Sequence, residues 1–291
     1  MTPPRTSVII AVYNAVREMQ LALAGYSRQS VQDLEIIVSD DGSGPEMAAM
    51  IETFSRYSHF PIQYLHQPDE GFRKCRILNQ AIRASLGNYL IFTDGDCIPH
   101  SHFVEAHLEN SRPGTVLCGR RVNLCRQFSQ DLTVNDVLRG KLERGPLGLA
   151  WDRLLGRITH WEEGLIIKSQ ALRNGIRRNE PVLFGCNFSL EKSLMERING
   201  FNEDFVEYGA EDTELQHRLH LADAQIRWVR HQAIQYHLFH PARKRGATSS
   251  TALERSLAEG TFTCRNGLKK FSSSKQSTIP ACDHSSAKNK N

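Results

Sequence analysis

Two aspartates flank one glycine in Asp94-Gly95-Asp96, directly after the apolar run Tyr89-Leu90-Ile91-Phe92-Thr93. Such a run reads as a buried parallel strand, and open α/β sheets bind ligands at the carboxyl ends of their strands. Carboxylates two residues apart can point to the same side, and the glycine lets the backbone approach a ligand closely. Hard oxygen donors in that pattern suit Mg²⁺ or Mn²⁺ held together with substrate phosphates. Asp-Gly-Asp also marks ordinary turns, so the tripeptide takes its weight from its neighbours. A second acidic pair, Glu211-Asp212, follows a chain break at Gly209 and opens a helix to about Ala222. Acidic residues are common in a first helical turn, where they complement the dipole.

The elements that must position these groups alternate regularly. Strands are predicted at 6–14, 34–39, 62–66 and 89–93, with helices over 15–29, 45–57, 72–86 and 101–111. Strands alternating with helices imply a parallel sheet with right-handed crossovers. Polar clusters then follow three strands on one sheet edge: Tyr13-Asn14, Asp40-Asp41 and Asp94/Asp96. Neither of the two usual glycine-rich phosphate loops occurs, so a bound diphosphate needs a metal to neutralise it. Residues 116–122 read as one further strand, and 182–190 begins the second chemical cluster. A helix is expected from Trp151 through Leu154, Leu155 and Ile158 to Trp161, interleaved with Asp152, Arg153 and Arg157. An amphipathic segment of that composition packs on its own domain or lies at a membrane interface. A short strand at 233–241 ends in His237 and His240, and helix is expected over 248–259.

The 291 residues allow one large domain or two small ones. No run approaches the length of a membrane span, the start lacks a leader pattern, and the seven cysteines show no Cys-x-x-Cys spacing. Those features point to reduced thiols in a cytoplasm and away from a zinc site. The net charge of +4 is uneven: residues 241–291 hold 10 Lys/Arg against 3 Asp/Glu. Such a tail is a solvated end or docks on an anionic surface, and its last stretch, 271–291, is expected to be disordered.

Val12-Tyr13-Asn14, Ser39-Asp40-Asp41-Gly42-Ser43, Asp69-Glu70-Gly71-Phe72-Arg73-Lys74 and Thr93-Asp94-Gly95-Asp96 resemble the successive motifs of glycosyltransferase family 2. The similarity covers about residues 6–105 and resumes at 183–240. It implies an α/β GT-A fold: a Rossmann-like, mostly parallel sheet with helices on both faces and a smaller acceptor-binding subregion. The expected parts are a nucleotide-sugar half at 1–112, an acceptor half at 113–241 with an insert at 123–180, and a basic tail at 242–291.

By the same resemblance, Asp41, with Asp40 beside it, accepts from the base of a nucleoside diphosphate, taken as uracil, while Tyr13 and Asn14 line base and ribose. Asp94 and Asp96 stand where the family binds ribose and the diphosphate-bound metal, with His237, or His240 in reserve, completing the shell. Imidazole would favour Mn²⁺ over Mg²⁺. Many members have Arg-Asn where this chain has Leu78-Asn79, so Arg73, Lys74 or Arg76 is expected to meet the nucleotide instead. The Glu211-Asp212 pair would sit beside the acceptor hydroxyl, with Asp212 as base and Glu211 as a sugar or acceptor ligand, or the reverse.

The function expected is metal-dependent, inverting transfer of a sugar from a UDP-linked donor to a saccharide or lipid-linked acceptor in bacterial surface polysaccharide synthesis. Peripheral membrane contact would fall to 123–180 or the basic tail, and no nucleic acid is expected. Two rivals are a nucleotidyltransferase releasing pyrophosphate and a non-catalytic nucleic-acid binder driven by the tail.

Overall fold

The computed structural model describes residues 6–176 and 179–271. Strands β1 (Thr6–Val12), β2 (Leu34–Asp40), β3 (Ile62–His66) and β4 (Tyr89–Asp94) are separated by the helices Val16–Tyr26, Pro45–Ser55 and Lys74–Ala84. Each helix returns the chain so that β1 pairs in parallel with β2 and β4, and β2 with β3. The chain continues through β5 (Cys97–Pro99), β6 (Thr115–Cys118), β7 (Val122–Leu124), β8 (Ile158–Thr159), β9 (Phe188–Glu191), β10 (Gln225–Trp228) and β11 (Gln235–His237). The large sheet has the order β10-β6-β9-β4-β1-β2-β3, and a small sheet has the order β5-β11-β7-β8. In the large sheet β9 alone runs antiparallel to its neighbours, β4 and β6.

Both faces of the large sheet are covered, which is why β1 and β2 are buried at every position. Side chains alternate across a strand, so Val8, Ile10, Ile36 and Val38 face one core with Met19, Leu23 and Met47. Ile9, Ile37, Leu90 and Phe92 face the other, with Leu215 and Leu219 from the helix Glu211–Leu221. Phe92 and Phe188 stack with ring centroids 4.6 Å apart, fastening β9 to β4. A third core lies under the small sheet and includes Leu149, Ile158 and Tyr236.

Three expectations need correction. Residues 116–122 form two strands, not one, because the chain leaves the large sheet at Gly119 and enters the small one at Val122. The Gly119 amide donates to Asn187 O at 2.8 Å, and a Cβ at residue 119 would stand 2.2 Å from the Asn187 side chain. The helix expected from Trp151 to Trp161 spans Pro146–Leu154 instead. Gly156 (φ +66°) turns the chain, Ile158 enters β8, and Trp161 begins a separate 3₁₀ turn. The described part of the tail is integral to the body: small residues Ser249, Ala252 and Ser256 bury the helix Ala247–Glu259 against the helix Glu211–Leu221. Residues 272–291, expected to be disordered, lie outside the described residues, as does the start at 1–5. The six described cysteines are free thiols. Among the described residues no helix is long and apolar enough to cross a membrane.

Candidate active site

β1, β2 and β4 end side by side, with Val12 opposite Asp40 and Ala11 opposite Asp94. A cleft of about 460 Å³ opens at that edge, and Tyr13, Asn14, Asp41, Lys74, Asp94, Asp96, His237 and His240 all line it. Residues from segments more than 200 positions apart thus share one cavity. The parallel strands supply its floor, and the loops after them supply its polar groups.

At one end Asn14 adopts a left-handed turn (φ 48°), which asparagine tolerates better than most residues. Its amide donates to Ser43 Oγ at 2.8 Å, tying the loop after β1 to the loop after β2. Tyr13 donates its hydroxyl to Asp69 at 2.9 Å, and this bond raises its pKa. Asp41 accepts from Gln67 Nε2 at 2.5 Å and from the Arg73 amide at 2.9 Å. Burial raises the Asp41 pKa, and those two donors oppose the rise.

Asp40 does not reach the cleft. Its carboxylate is fully buried, accepting from the Ser43 amide and hydroxyl at 2.9 and 2.6 Å and from the Tyr64 hydroxyl at 2.5 Å. It shapes the loop that presents Asp41.

Asp94 and Asp96 serve different neighbours. Asp94 Oδ1 accepts from Lys74 Nζ at 2.7 Å. Burial opposes the lysine's charge, but Asp94, Asp212 and Glu211 outweigh it and hold the ammonium pKa well above its usual value. Asp96 Oδ2 lies 3.5 Å from His237 Nε2 and 3.3 Å from His240 Nε2, and the two imidazole nitrogens are 3.1 Å apart. Donor atoms of these three residues fall within 4.8 Å of one another, whereas Asp94 is outside that group. One carboxylate and two imidazoles suit a transition-metal ion, Mn²⁺ among them, better than Mg²⁺. Burial would raise the Asp96 pKa, but hydrogen bonds from the two histidines hold it far below the usual carboxylate range. Gly95 answers to packing: a Cβ there would stand 3.0 Å from Val12 Cγ2 and 3.2 Å from Met19 Sδ.

The second acidic pair comes from the far side. Gly209 (φ +102°) and Ala210 (φ +73°) turn the chain through two successive left-handed residues, aiming the first turn of the helix Glu211–Leu221 inward. Asp212 Oδ2 accepts from the Gly185 amide at 2.8 Å. Burial and the neighbouring Glu211 push the Asp212 pKa up to about 7, against the opposing pull of Lys74. A carboxyl group so poised can take a proton near neutral pH.

Of the three cations expected at the nucleotide, only Lys74 lines the cleft. Arg73 points Nη1 to the Phe72 and Val206 carbonyls, and Arg76 pairs with Glu70 at 3.0 Å on the surface. Sequence reasoning missed Arg121, a half-buried cation lining the cleft with Nη1 3.6 Å from Cys186 Sγ. Its placement follows from the exit at Gly119, which periodicity does not reveal. Phe72 and Tyr208 were missed too: their rings meet edge to face, centroids 6.2 Å apart, at the cleft mouth.

The sheet order with its antiparallel β9, and the cleft at its carboxyl edge, define a GT-A fold. The structure resembles the mannosyltransferase PcManGT from Pyrobaculum calidifontis in complex with GDP-Man and Mn²⁺, with TM-score 0.57 and 18% identity over 88% of this chain and 64% of that one. It also resembles S. aureus TarS 1–349 in complex with UDP, with TM-score 0.55 and 16% identity over 88% of this chain and 65% of that one. Residues 7–198 match Glycosyl transferase family 2, and the chain belongs to that family. Residues 168–241 also match the family described as the N-terminal domain of galactosyltransferase. Chondroitin synthase of Escherichia coli is 27% identical over 260 residues, 82% of this chain and 35% of that protein. Validoxylamine A glucosyltransferase of Streptomyces hygroscopicus is 27% identical over 225 residues, 75% of this chain and 51% of that protein. The chain therefore spans between a third and a half of these relatives' length.

Proposed function

We propose that this chain transfers a sugar, with inversion, from a nucleoside diphosphate to a saccharide or lipid-linked acceptor hydroxyl, in surface polysaccharide synthesis on the cytoplasmic side. The carrying observation is that Asp94, Asp96, His237 and His240 share one cleft with Lys74, whose ammonium pairs with Asp94 and is also held by the charges of Asp212 and Glu211 behind the cleft wall. Uracil is the proposed base, with Tyr13, Asn14 and Asp41 around it. Support for a nucleotide donor comes from the neighbours solved with GDP-Man and with UDP.

Asp96, His237 and His240 would hold a divalent ion, Mn²⁺ by donor type, which when bound supplies positive charge beside the departing diphosphate. Lys74 pairs with Asp94 at 2.7 Å and adds a fixed cation to the same wall. Arg121 adds a second. Asp212 takes the proton from the acceptor oxygen as that oxygen bonds to the anomeric carbon. The carbon–oxygen bond to the diphosphate breaks, and its electron pair leaves with the nucleotide. The Gly185 amide fixes one oxygen of Asp212 and leaves Oδ1 for the proton. Glu211, buried beside it, raises its basicity and is the proposed sugar ligand.

The experiment is a panel of nucleotide sugars with Mn²⁺ and saccharide acceptors, quantifying the nucleotide product. Free nucleoside diphosphate, UDP first among them, is expected. Pyrophosphate release would replace sugar transfer with nucleotidyl transfer.

A further inference from the structure

The helix Pro146–Leu154 carries an apolar stripe on its outer side. Leu147, Trp151, Leu154 and Leu155 follow an i, i+4, i+7, i+8 pattern, which places them on one face. They are 89, 55, 75 and 47% exposed, while Leu149 and Asp152 on the opposite face are buried. Scattered surface leucines need no explanation, but four on one helical face, with a tryptophan among them, do.

The charges around the stripe say what covers it. Residues 139–157 contain five cations (Arg139, Lys141, Arg144, Arg153 and Arg157) and two carboxylates (Glu143 and Asp152). Both carboxylates turn inward: Asp152 lies between Arg144 at 3.6 Å and Arg157 at 3.1 Å, and Glu143 holds Arg28 at 2.5 Å. Lys141 pairs with Asp136 at 3.1 Å, which leaves Arg139 and Arg153 as the exposed cations with no carboxylate partner among the described residues. The face is thus apolar in the middle and positive around its edge. A second copy packed about a two-fold axis would set this patch against itself and bring like charges together. Nucleic acid would match the cations and leave the leucines without a partner. An anionic bilayer matches both: phosphate head groups take the arginines, and the leucines and Trp151 enter the boundary between head groups and acyl chains.

We propose that the helix Pro146–Leu154 is a shallow docking element for an anionic lipid membrane. The helix leads into β8, which pairs with β7, and β7 pairs with β11, the strand bearing His237. Docking therefore sets the attitude of the small sheet, and with it the cleft, toward the membrane. Its usefulness for a lipid-linked acceptor rests on the proposed transfer activity; the docking itself does not.

The test is co-sedimentation of the full chain with vesicles of phosphatidylcholine alone and of phosphatidylcholine mixed with phosphatidylglycerol. Binding is expected to the mixed vesicles and not to the neutral ones, with Trp151 emission shifting to the blue. Leu147→Ser with Leu154→Ser, or Arg153→Glu, should each lower vesicle affinity about tenfold or more while leaving the thermal midpoint and nucleotide-sugar turnover unchanged. Absence of binding to mixed vesicles, equal binding to neutral ones, or binding that the stripe variants retain would overturn the proposal. So would stripe-dependent dimers in sedimentation velocity without lipid, or stripe-dependent binding to single-stranded DNA. Because turnover is read separately, a failure here leaves the transfer activity standing.

Discussion

Asp212 shows how a side chain's chemistry comes from its surroundings. In the sequence it is one half of Glu211-Asp212, a pair that a helix N-terminus would favour for its dipole alone. The fold adds burial and a like charge alongside, and the carboxyl pKa rises to about 7. Because the base must be unprotonated, kcat/KM should rise with pH through an acid limb centred near that value and fall about tenfold per pH unit below it. Asp212→Asn should lower kcat by about 10²–10⁴-fold, leave nucleotide binding intact, and abolish that limb in the residual rate. Turnover near wild type, or an unchanged pH profile, would move the base elsewhere. Asp40 and Arg73 mark the limit at this scale: residue type and motif position put both at the nucleotide. Only the contacts show Asp40 bonded to Ser43 and Tyr64 and Arg73 to two backbone carbonyls.

The helix Glu211–Leu221 owes its position to a buried ion pair as much as to its leucines. Arg218 is bidentate to Glu214, at 2.7 and 2.8 Å, and caps the Ile198 carbonyl at 2.7 Å. Ser256 at 2.9 Å and Asn202 at 3.3 Å complete the Glu214 carboxylate. Removing one partner strands a buried charge, so Arg218→Ala should cost about 3–5 kcal/mol in urea unfolding. Replacing both Arg218 and Glu214 by leucine should recover much of that loss, since burying a charge pair is itself costly. A loss under 1 kcal/mol for Arg218→Ala would deny the pair its anchoring role. Apolar periodicity revealed β1 to β4 and their helices because each is long, regular and covered on both sides. It failed at Gly119 and Gly156, where a single glycine redirects the chain into a short strand, β7 or β8, whose pairing partner is remote in sequence.

At the scale of the molecule, the alternating strands and helices carried the GT-A architecture, and the polar clusters after β1, β2 and β4 carried the position of the cleft. The helix expected over 248–259 is present, but its packing on the body is not legible in net charge, which describes composition, whereas Ser249, Ala252 and Ser256 pack through being small. The joining of Asp96 to His237 and His240 was suggested by motif order, and the antiparallel pairing of β5 with β11 brings it about in space, setting Cys97 opposite His237. The central claim is that this trio holds the ion through which the cleft takes a nucleoside diphosphate. Calorimetric titration of UDP, with and without Mn²⁺, into the unmodified chain and into Asp96→Ala and Asp212→Asn tests it most directly. Mn²⁺-dependent binding is expected in the unmodified chain and in Asp212→Asn, with a loss of about tenfold or more in Asp96→Ala. Mn²⁺-dependent binding of undiminished strength in Asp96→Ala would contradict the claim.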